Sequence, residues 1–506
     1  RHWSLMPTLP VNPAQGLTGQ GPPPDRLPPR AYLGLFALGL LPRLLLVLAF
    51  LRAPIGLDDM HQYDMLARSL ASGHGYRWYG RDDVALLRPY LERYYGLTIP
   101  TTDVPEDGLL TTFRAPGYPF FLAGLYLLFG LDQRLAVARL AQALLGAALA
   151  PLTALLALRL GTTPRAARLA GAILALYPIL WMYPIGLASE NTFLPLLLVG
   201  LLASLVAART ARPGAALGAG LALGAATLTR GAPALFLPFT ALWLWRSASR
   251  AGLRQAALLT IAASAVLLPW MVRNSRILGR PAFVENSAGY NLFIGYHPQG
   301  NGNFDVRVSV IPLRILDDGE RDRWTMDQAL GFIRSDPGRT IGLIPGRFAH
   351  FFGLEDRELV YFYSNDYFGP IPQPWLTLAY LALVLPFMAV ALGAPFGLAW
   401  AADRRARALV LGLTGALLLA YIPILAEPRY HLPLVPALAA YAASTFTTPG
   451  LSSRMRISLR QREKGAWIAA LVMVVFLALI VAYIASEWPR LSAVLAPGGH
   501  SLALDY

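Results

Sequence analysis

Cysteine is absent from the 506-residue sequence, which excludes disulfides, thiol catalysis and thiolate-held metals and leaves the redox compartment open. Lysine is almost absent too: of 43 basic side chains, only Lys464 is lysine. Charged residues make up 14% of the chain against 55% hydrophobic ones, with a mean hydropathy of +0.47. That balance is too apolar for a soluble multidomain protein and predicts a polytopic membrane protein. A net charge of +14 raises nucleic acid and anionic lipid as partners. The arginines sit between apolar runs instead of forming one basic face, and no zinc-finger or aromatic-sheet motif accompanies them. Nucleic acid is therefore set aside and membrane lipid retained. Residues 1–30 are rich in proline and glycine without an apolar core, so a disordered cytoplasmic leader lacking a cleavable signal is expected there.

What is abundant is apolar sequence in runs near the length of a bilayer crossing, about 20 residues. Such runs fall near 31–51, 135–158, 168–188, 191–208, 214–229, 232–245, 253–271, 375–399, 408–426, 431–446 and 466–485. They predict an all-α bundle of about 11 transmembrane helices with two long extracytoplasmic loops containing juxtamembrane helices. An N-terminal transmembrane module, 31–272, carries the first outer loop, 52–115; the second outer loop is 273–374, and 375–506 holds the C-terminal helices. The apolar part of 116–130 is short for a crossing and reads as juxtamembrane. With that choice the short arginine-rich loops share one side, cytoplasmic by the positive-inside rule, with the amino terminus. The opposite side receives both long loops together with Ser189-Glu190, Arg230 and Glu427-Pro428-Arg429-Tyr430.

Acids and isolated arginines thus gather on the outer face, where ionisable groups beside a bilayer invite a functional reading. Asp58 and Asp59 follow the first apolar run. After them Tyr63, Leu66, Ala67 and Leu70 recur at helical spacing, with Asp64 and Arg68 expected on the polar face of a surface-lying helix. A carboxylate at a helix amino terminus stays ionised and is suited to accept a proton from a hydroxyl or amine. Glu190 opens a helix on the same face; it is a second candidate for that role or for orienting an acceptor. Arg230, Arg114 and Arg429 offer planar paired donors that match phosphate oxygens, although an arginine snorkelling toward lipid headgroups is the plain alternative for each. The glycines near Gly289-Tyr290-Asn291 and Gly300-Asn301-Gly302-Asn303 read as turns. The histidines show no metal-ligand spacing, so no metal or cofactor is expected, a divalent ion being the one alternative.

The order of these motifs resembles that of bacterial GT-C superfamily glycosyltransferases of family 39, the branch holding protein O-mannosyltransferases and resembling the aminoarabinose transferases. The resemblance runs through most of residues 31–446. It rests on Asp59 four places before Tyr63, on Arg114 to Pro119, Ser189-Glu190 and Leu228-Thr229-Arg230, and on Leu268-Pro269-Trp270 with Arg273-Asn274. Gly289-Tyr290-Asn291 and Arg429-Tyr430 with Pro433 and Pro436 complete the series. It implies a sugar donor linked to undecaprenyl phosphate or a similar polyprenyl phosphate, with transfer outside the cytoplasmic (inner) membrane of a bacterium. Asp59 matches the family's first-loop aspartate and Asp58 is its extra neighbour. Arg114, Arg230 and Arg429 fall where lipid-phosphate contacts are placed, and Arg273, Tyr430 and Tyr63 belong to the same substrate-binding set. Arg114 is offset by one residue from the usual basic position, and the loop before it is longer than the common pattern.

The expectation is an inverting displacement that moves a sugar to an acceptor of unidentified class, whether protein, lipid or glycan. Three alternatives are a polytopic lipid or solute transporter, a glycan ligase using a polyprenyl-diphosphate donor, and a non-catalytic subunit associated with protein partners. Inverted halves with paired broken helices, the usual mark of a transporter, are not visible in the sequence.

Overall fold

The computed structural model describes residues 27–56, 59–96, 104–247, 251–364, 369 and 371–496. Most of the expected leader lies outside them, and Pro29 and Arg30 already belong to the first helix. In chain order come α1 (Pro29–Ala49), α2 (Asp59–Ala71), α3 (Arg81–Tyr95), α4 (Gly117–Phe129), α5 (Arg134–Arg159), α6 (Pro164–Ala175) and α7 (Ile179–Met182). They are followed by α8 (Glu190–Thr210), α9 (Pro213–Thr229), α10 (Phe236–Ser247) and α11 (Gly252–Leu278). The second long loop holds α12 (Ala288–Tyr296), α13 (Val306–Ser309), α14 (Asp318–Ser335), α15 (Pro337–Phe351) and α16 (Arg357–Ser364). Then come α17 (Gln373–Trp400), α18 (Arg404–Tyr421), α19 (Val435–Phe446), α20 (Leu451–Arg460) and α21 (Lys464–Leu495). Among the described residues the only strands are β1 (Arg77–Trp78) and β2 (Leu109–Leu110), an antiparallel pair in the first loop.

Six of these helices, α1, α5, α8, α11, α17 and α21, are long and apolar enough to cross a membrane. The chain is an all-α polytopic membrane protein. Several other expected crossings are shorter helices: α6, α10 and α19 have 12 residues each, roughly 18 Å of rise against about 30 Å of hydrocarbon. The run 168–188 is broken outright, because α6 stops at Ala175 and only the four-residue α7 follows. Pro178 lacks an amide proton and pushes Tyr177 out of the helical region.

Helix ends inside an apolar bundle need partners for their free carbonyls, since no water reaches them. Arginine supplies these partners. Arg43 on α1, fully buried, donates to the carbonyls of Ala175 (3.1 Å) and Leu174 (3.3 Å) at the broken end of α6. Arg139 on α5 donates to Leu51 (2.8 Å) and Ala53 (2.7 Å) beyond α1 and to Ile185 (2.6 Å). Arg347 on α15 donates to Gly295 (2.8 Å) in α12 and Ile422 (3.2 Å) at the end of α18, with its guanidinium 4.2 Å from the Tyr296 ring centroid. A planar fork with several fixed donors reaches two or three carbonyls at once, which an ammonium does less well.

Close helix approach depends on small residues, because lipid supplies no hydrophobic drive between helices. Helix α9 packs against α8 and α11. A Cβ on Gly220 would stand 2.3 Å from the Leu259 carbonyl oxygen, and one on Gly397 would stand 2.0 Å from that of Tyr441 where α17 meets α19.

The two long loops interlock. Asp318, at the start of α14, accepts from Thr111 Oγ1 (2.7 Å) and the Thr112 amide (2.6 Å), and Asn286 donates its amide to the Thr112 carbonyl (2.8 Å). The basic connections meet elsewhere: Arg209 bonds the Arg159 carbonyl (2.6 Å) and Asp403 (2.7 Å), and Arg405 bonds the Ser247 carbonyl (2.8 Å). Helix α8 runs between the two regions, from Glu190 to Thr210, 21 residues or roughly 30 Å of rise. Arginine-rich turns and long loops therefore occupy opposite ends of the bundle.

Candidate active site

Where the loops meet the helix ends lies a cavity of about 560 Å³ whose wall includes Asp59, Tyr63, Arg114, Glu190, Arg230, Arg429 and Tyr430. Residues separated by hundreds of positions thus share one chamber.

Asp59 is the first residue of α2, at the end of the helix where the dipole favours a negative charge. Asp58 lies outside the described residues. Arg114, just after β2, donates from Nη2 to Asp59 and from Nε to Gln62 Oε1 at 2.8 Å. Gln62, on the same helix as Asp59, aligns the guanidinium, and Tyr76 holds the backbone behind it by donating to the Arg114 carbonyl at 3.0 Å. Tyr63 and Phe113 flank the group at 5.6 and 5.2 Å from their ring centroids. The second Asp59 oxygen stands 3.9 Å from Arg429 Nη2.

Glu190 begins α8 and is buried; Arg230, the residue capping α9, donates to it. Arg429 lies in the 3-10 turn Pro428–Leu434 and donates from Nε to Glu427 Oε2 at 2.7 Å, and Arg357 at the start of α16 donates to the same oxygen. One carboxylate therefore serves two guanidinium groups. Within these ion pairs four guanidinium groups, of Arg114, Arg230, Arg357 and Arg429, share three acids, Asp59, Glu190 and Glu427. The stacked rings of Tyr421 and Tyr430, 4.0 Å apart, border Arg230.

Burial would push the Asp59 carboxyl up, but the guanidinium groups of Arg114, Arg429, Arg357 and Arg230 outweigh it and hold the acid below the usual carboxylate range. Its side chain remains 37% exposed to the chamber. Two other acids on the wall go the opposite way. Burial pushes Glu285 up despite Arg114 and the Gly231 amide, which donates to it at 3.1 Å. Burial also pushes Glu358 up, although Tyr183 donates to it at 2.7 Å. The wall thus carries two acids whose charge is favoured by arginines, Asp59 and Glu190, and two whose proton is held more tightly than usual, Glu285 and Glu358, a separation typical of groups with different proton roles.

Arg273 lies outside this wall. It is on the last turns of α11, which extends past the expected loop boundary at 273, and it donates to the carbonyls of Thr111 (2.9 Å) and Tyr76 (3.3 Å) while stacking on Trp270 at 4.4 Å. Its position fastens the first loop to the bundle. Asp64, expected on the polar face of α2, is instead buried, bonded by Arg68 (2.8 Å), Arg134 (2.9 Å) and Tyr126 (2.9 Å). The physical reason is that α4 and the start of α5 cover that face and bring the Tyr126 hydroxyl and the Arg134 guanidinium to join Arg68 of α2 itself.

Sequence reasoning missed Arg357, Glu358, Glu285 and Gln62. The run Glu355-Asp356-Arg357-Glu358, four charged residues directly after an apolar helix, was the available signal for the first two. Glu285 and Gln62 carried none. Among the described residues no cluster of His, Asp and Glu has the makings of a metal site.

No family model and no curated protein matches the chain. Among solved structures it is similar to the apo oligosaccharyltransferase of Archaeoglobus fulgidus, with 16% identity over 94% of this chain and a TM-score of 0.46. The chain spans 60% of that protein's length. ArnT from Cupriavidus metallidurans bound to undecaprenyl phosphate is similar at 16% identity, over 82% of this chain and 78% of that one, with a TM-score of 0.35. The apo form of ArnT gives 16% identity, 93% and 84% coverage and a TM-score of 0.33.

Proposed function

We propose that this chain is a GT-C-type membrane glycosyltransferase that moves a sugar from a polyprenyl-phosphate donor to an extracytoplasmic acceptor. The observation that carries the reading is the single chamber in which an ionised Asp59 meets the guanidinium groups of Arg114, Arg230, Arg357 and Arg429. A sugar on a lipid monophosphate is a phosphodiester with one negative charge, and the planar paired donors of these arginines match its oxygens.

The step is a displacement. An acceptor hydroxyl or amine attacks the anomeric carbon, the bond from that carbon to the phosphate oxygen breaks, and the bonding pair leaves with the phosphate. Asp59 accepts the proton of the attacking group, while Arg114, Arg357 and Arg429 stabilise the charge growing on the phosphate. Its depressed basicity makes Asp59 a mild base, so positioning and charge stabilisation provide most of the acceleration. Phosphate is already a good leaving group. One displacement inverts the anomeric configuration. The arginine-rich turns face the cytoplasm under the positive-inside rule and the chamber faces outward.

The test uses the purified full chain with undecaprenyl-phosphate-linked sugars, following release of undecaprenyl phosphate. Release that disappears in Asp59→Asn supports the reading. A chain that releases none from any such donor, or a variant with undiminished release, overturns it.

A further inference from the structure

Behind the chamber the segments carrying Arg357 and Arg429 are joined by a buried pair that touches neither the cavity nor Glu427. Glu355, two residues before Arg357, lies 2.9 Å through Oε1 from His431 Nε2, and His431 is two residues after Arg429. Both side chains are buried. The opposite ring nitrogen, Nδ1, is 2.6 Å from the Phe351 carbonyl, which only accepts, so Nδ1 carries a proton. The ring lies flat on Phe387, with centroids 3.8 Å apart.

Proton counting follows. With Nδ1–H committed, the Nε2–Oε1 contact needs one proton between the two atoms, as imidazolium with carboxylate or as imidazole with carboxylic acid. Without that proton, a nitrogen lone pair faces a carboxylate oxygen, and the contact becomes repulsive. Tyr177 donates to Glu355 Oε1 at 2.8 Å, and among the described residues it is the one other titratable side chain bonded to the pair. Glu355 Oε2 has no partner there. Phe351 and Phe387, on α15 and α17, bring no charge to the ring.

We propose that Glu355 and His431 form a one-proton staple that positions Arg357 and Arg429 for the donor phosphate. Both are positioning residues, acting through the arginines that converge on Glu427. Loss of the shared proton separates the two segments and spreads the phosphate-binding guanidinium groups. The functional half of this inference rests on the polyprenyl-phosphate reading.

The variants Glu355→Ala and Glu355→Gln separate the outcomes. Alanine removes the bridge. Glutamine preserves it without a shared proton: with its amide nitrogen in the place of Oε1, one N–H donates to Nε2 and the other to the Tyr177 oxygen. Hydrogen exchange of segments 351–358 and 428–434, corrected for intrinsic rates, needs no donor. It is expected to show protection of both segments falling together at alkaline pH in the natural protein and persisting in Glu355→Gln. Undecaprenyl phosphate, added in uncharged detergent, is expected to bind about tenfold more weakly to Glu355→Ala, about 1.4 kcal/mol. The natural protein is expected to lose affinity with rising pH and Glu355→Gln to keep it. If Glu355→Ala fails to fold, the pH comparison between the natural protein and Glu355→Gln still decides. Exchange protection indifferent to pH and to the glutamine overturns the staple. Exchange that behaves as expected while undecaprenyl phosphate binds no form of the protein keeps the staple and overturns the donor reading.

Discussion

Replacing Glu427 by glutamine should move stability and ligand affinity in opposite directions. Glu427 is 1% exposed, and its Oε2 accepts from both Arg357 and Arg429, which are 15% and 21% exposed. Glutamine keeps the shape and one acceptor but removes the charge, leaving two guanidinium groups against a neutral amide. Breaking a buried pair by removing one partner costs about 3–5 kcal/mol. Both arginines reach the wet chamber, so the low end, about 3 kcal/mol, is expected. The same change makes the cluster one charge more positive, and a lipid phosphate entering the chamber takes over the missing counter-charge. Affinity for undecaprenyl phosphate should then rise about tenfold, roughly 1.4 kcal/mol. Thermal unfolding in detergent with and without undecaprenyl phosphate reads both effects: a lower midpoint for the free variant and a larger upward shift on adding lipid. A variant as stable as the parent, or one shifted less by the lipid, would refute the charge argument.

Asp59→Asn should lower turnover by about 10²–10⁴-fold, the usual worth of a general base, with lipid-phosphate affinity unchanged or stronger, as measured by single-turnover release. Because the arginines hold the Asp59 carboxyl below the ordinary range, turnover should stay level as pH falls from 7 to about 5 and decline only below the usual carboxylate pKa; a decline centred at pH 6 would contradict this. Asp356 behaves oppositely, because burial pushes it to about 6 despite Arg490 and the Tyr483 hydroxyl at 2.7 Å. A raised acid contributes stability below its unfolded pKa and loses it as pH rises through the folded value, so about 3 kcal/mol should disappear between pH 4 and 6. Denaturation of Asp356→Asn across that window should be flatter than that of the parent. Gly220→Ala should separate α9 from α11 and cost about 1–3 kcal/mol, the price of overpacking, visible as a lower unfolding midpoint.

The helical class, the first-loop helix after Asp59, and the opening of α8 at Glu190 were legible because apolar periodicity and chain polarity are local properties. The break after Ala175 was harder to see, since a run of apolar residues reads the same whether or not the helix continues, and Pro178 alone permits either outcome. Convergence of Asp59, Arg114, Arg230 and Arg429 was legible only through the alternation of sides, a count of crossings. Arg357 and Glu358 escaped because a charge-dense segment normally marks solvent, and only the tertiary structure supplies Glu427 and Tyr183 as their partners. The carbonyl partners of Arg273 were invisible for a related reason: an arginine near a membrane exit looks the same in sequence whether it awaits a phosphate or ties down a carbonyl.

The bond from Arg43 to Ala175 spans 132 positions of sequence, and translation delivers its two ends far apart in time. At about 5–20 residues per second, Arg43 is made roughly 7 to 26 seconds before the carbonyls that it needs exist. During that interval α1 carries the Arg43 guanidinium without the α6 carbonyls that it bonds in the folded protein. Insertion of this protein should therefore pause with α1 retained beside the translocation machinery until α5 and α6 arrive.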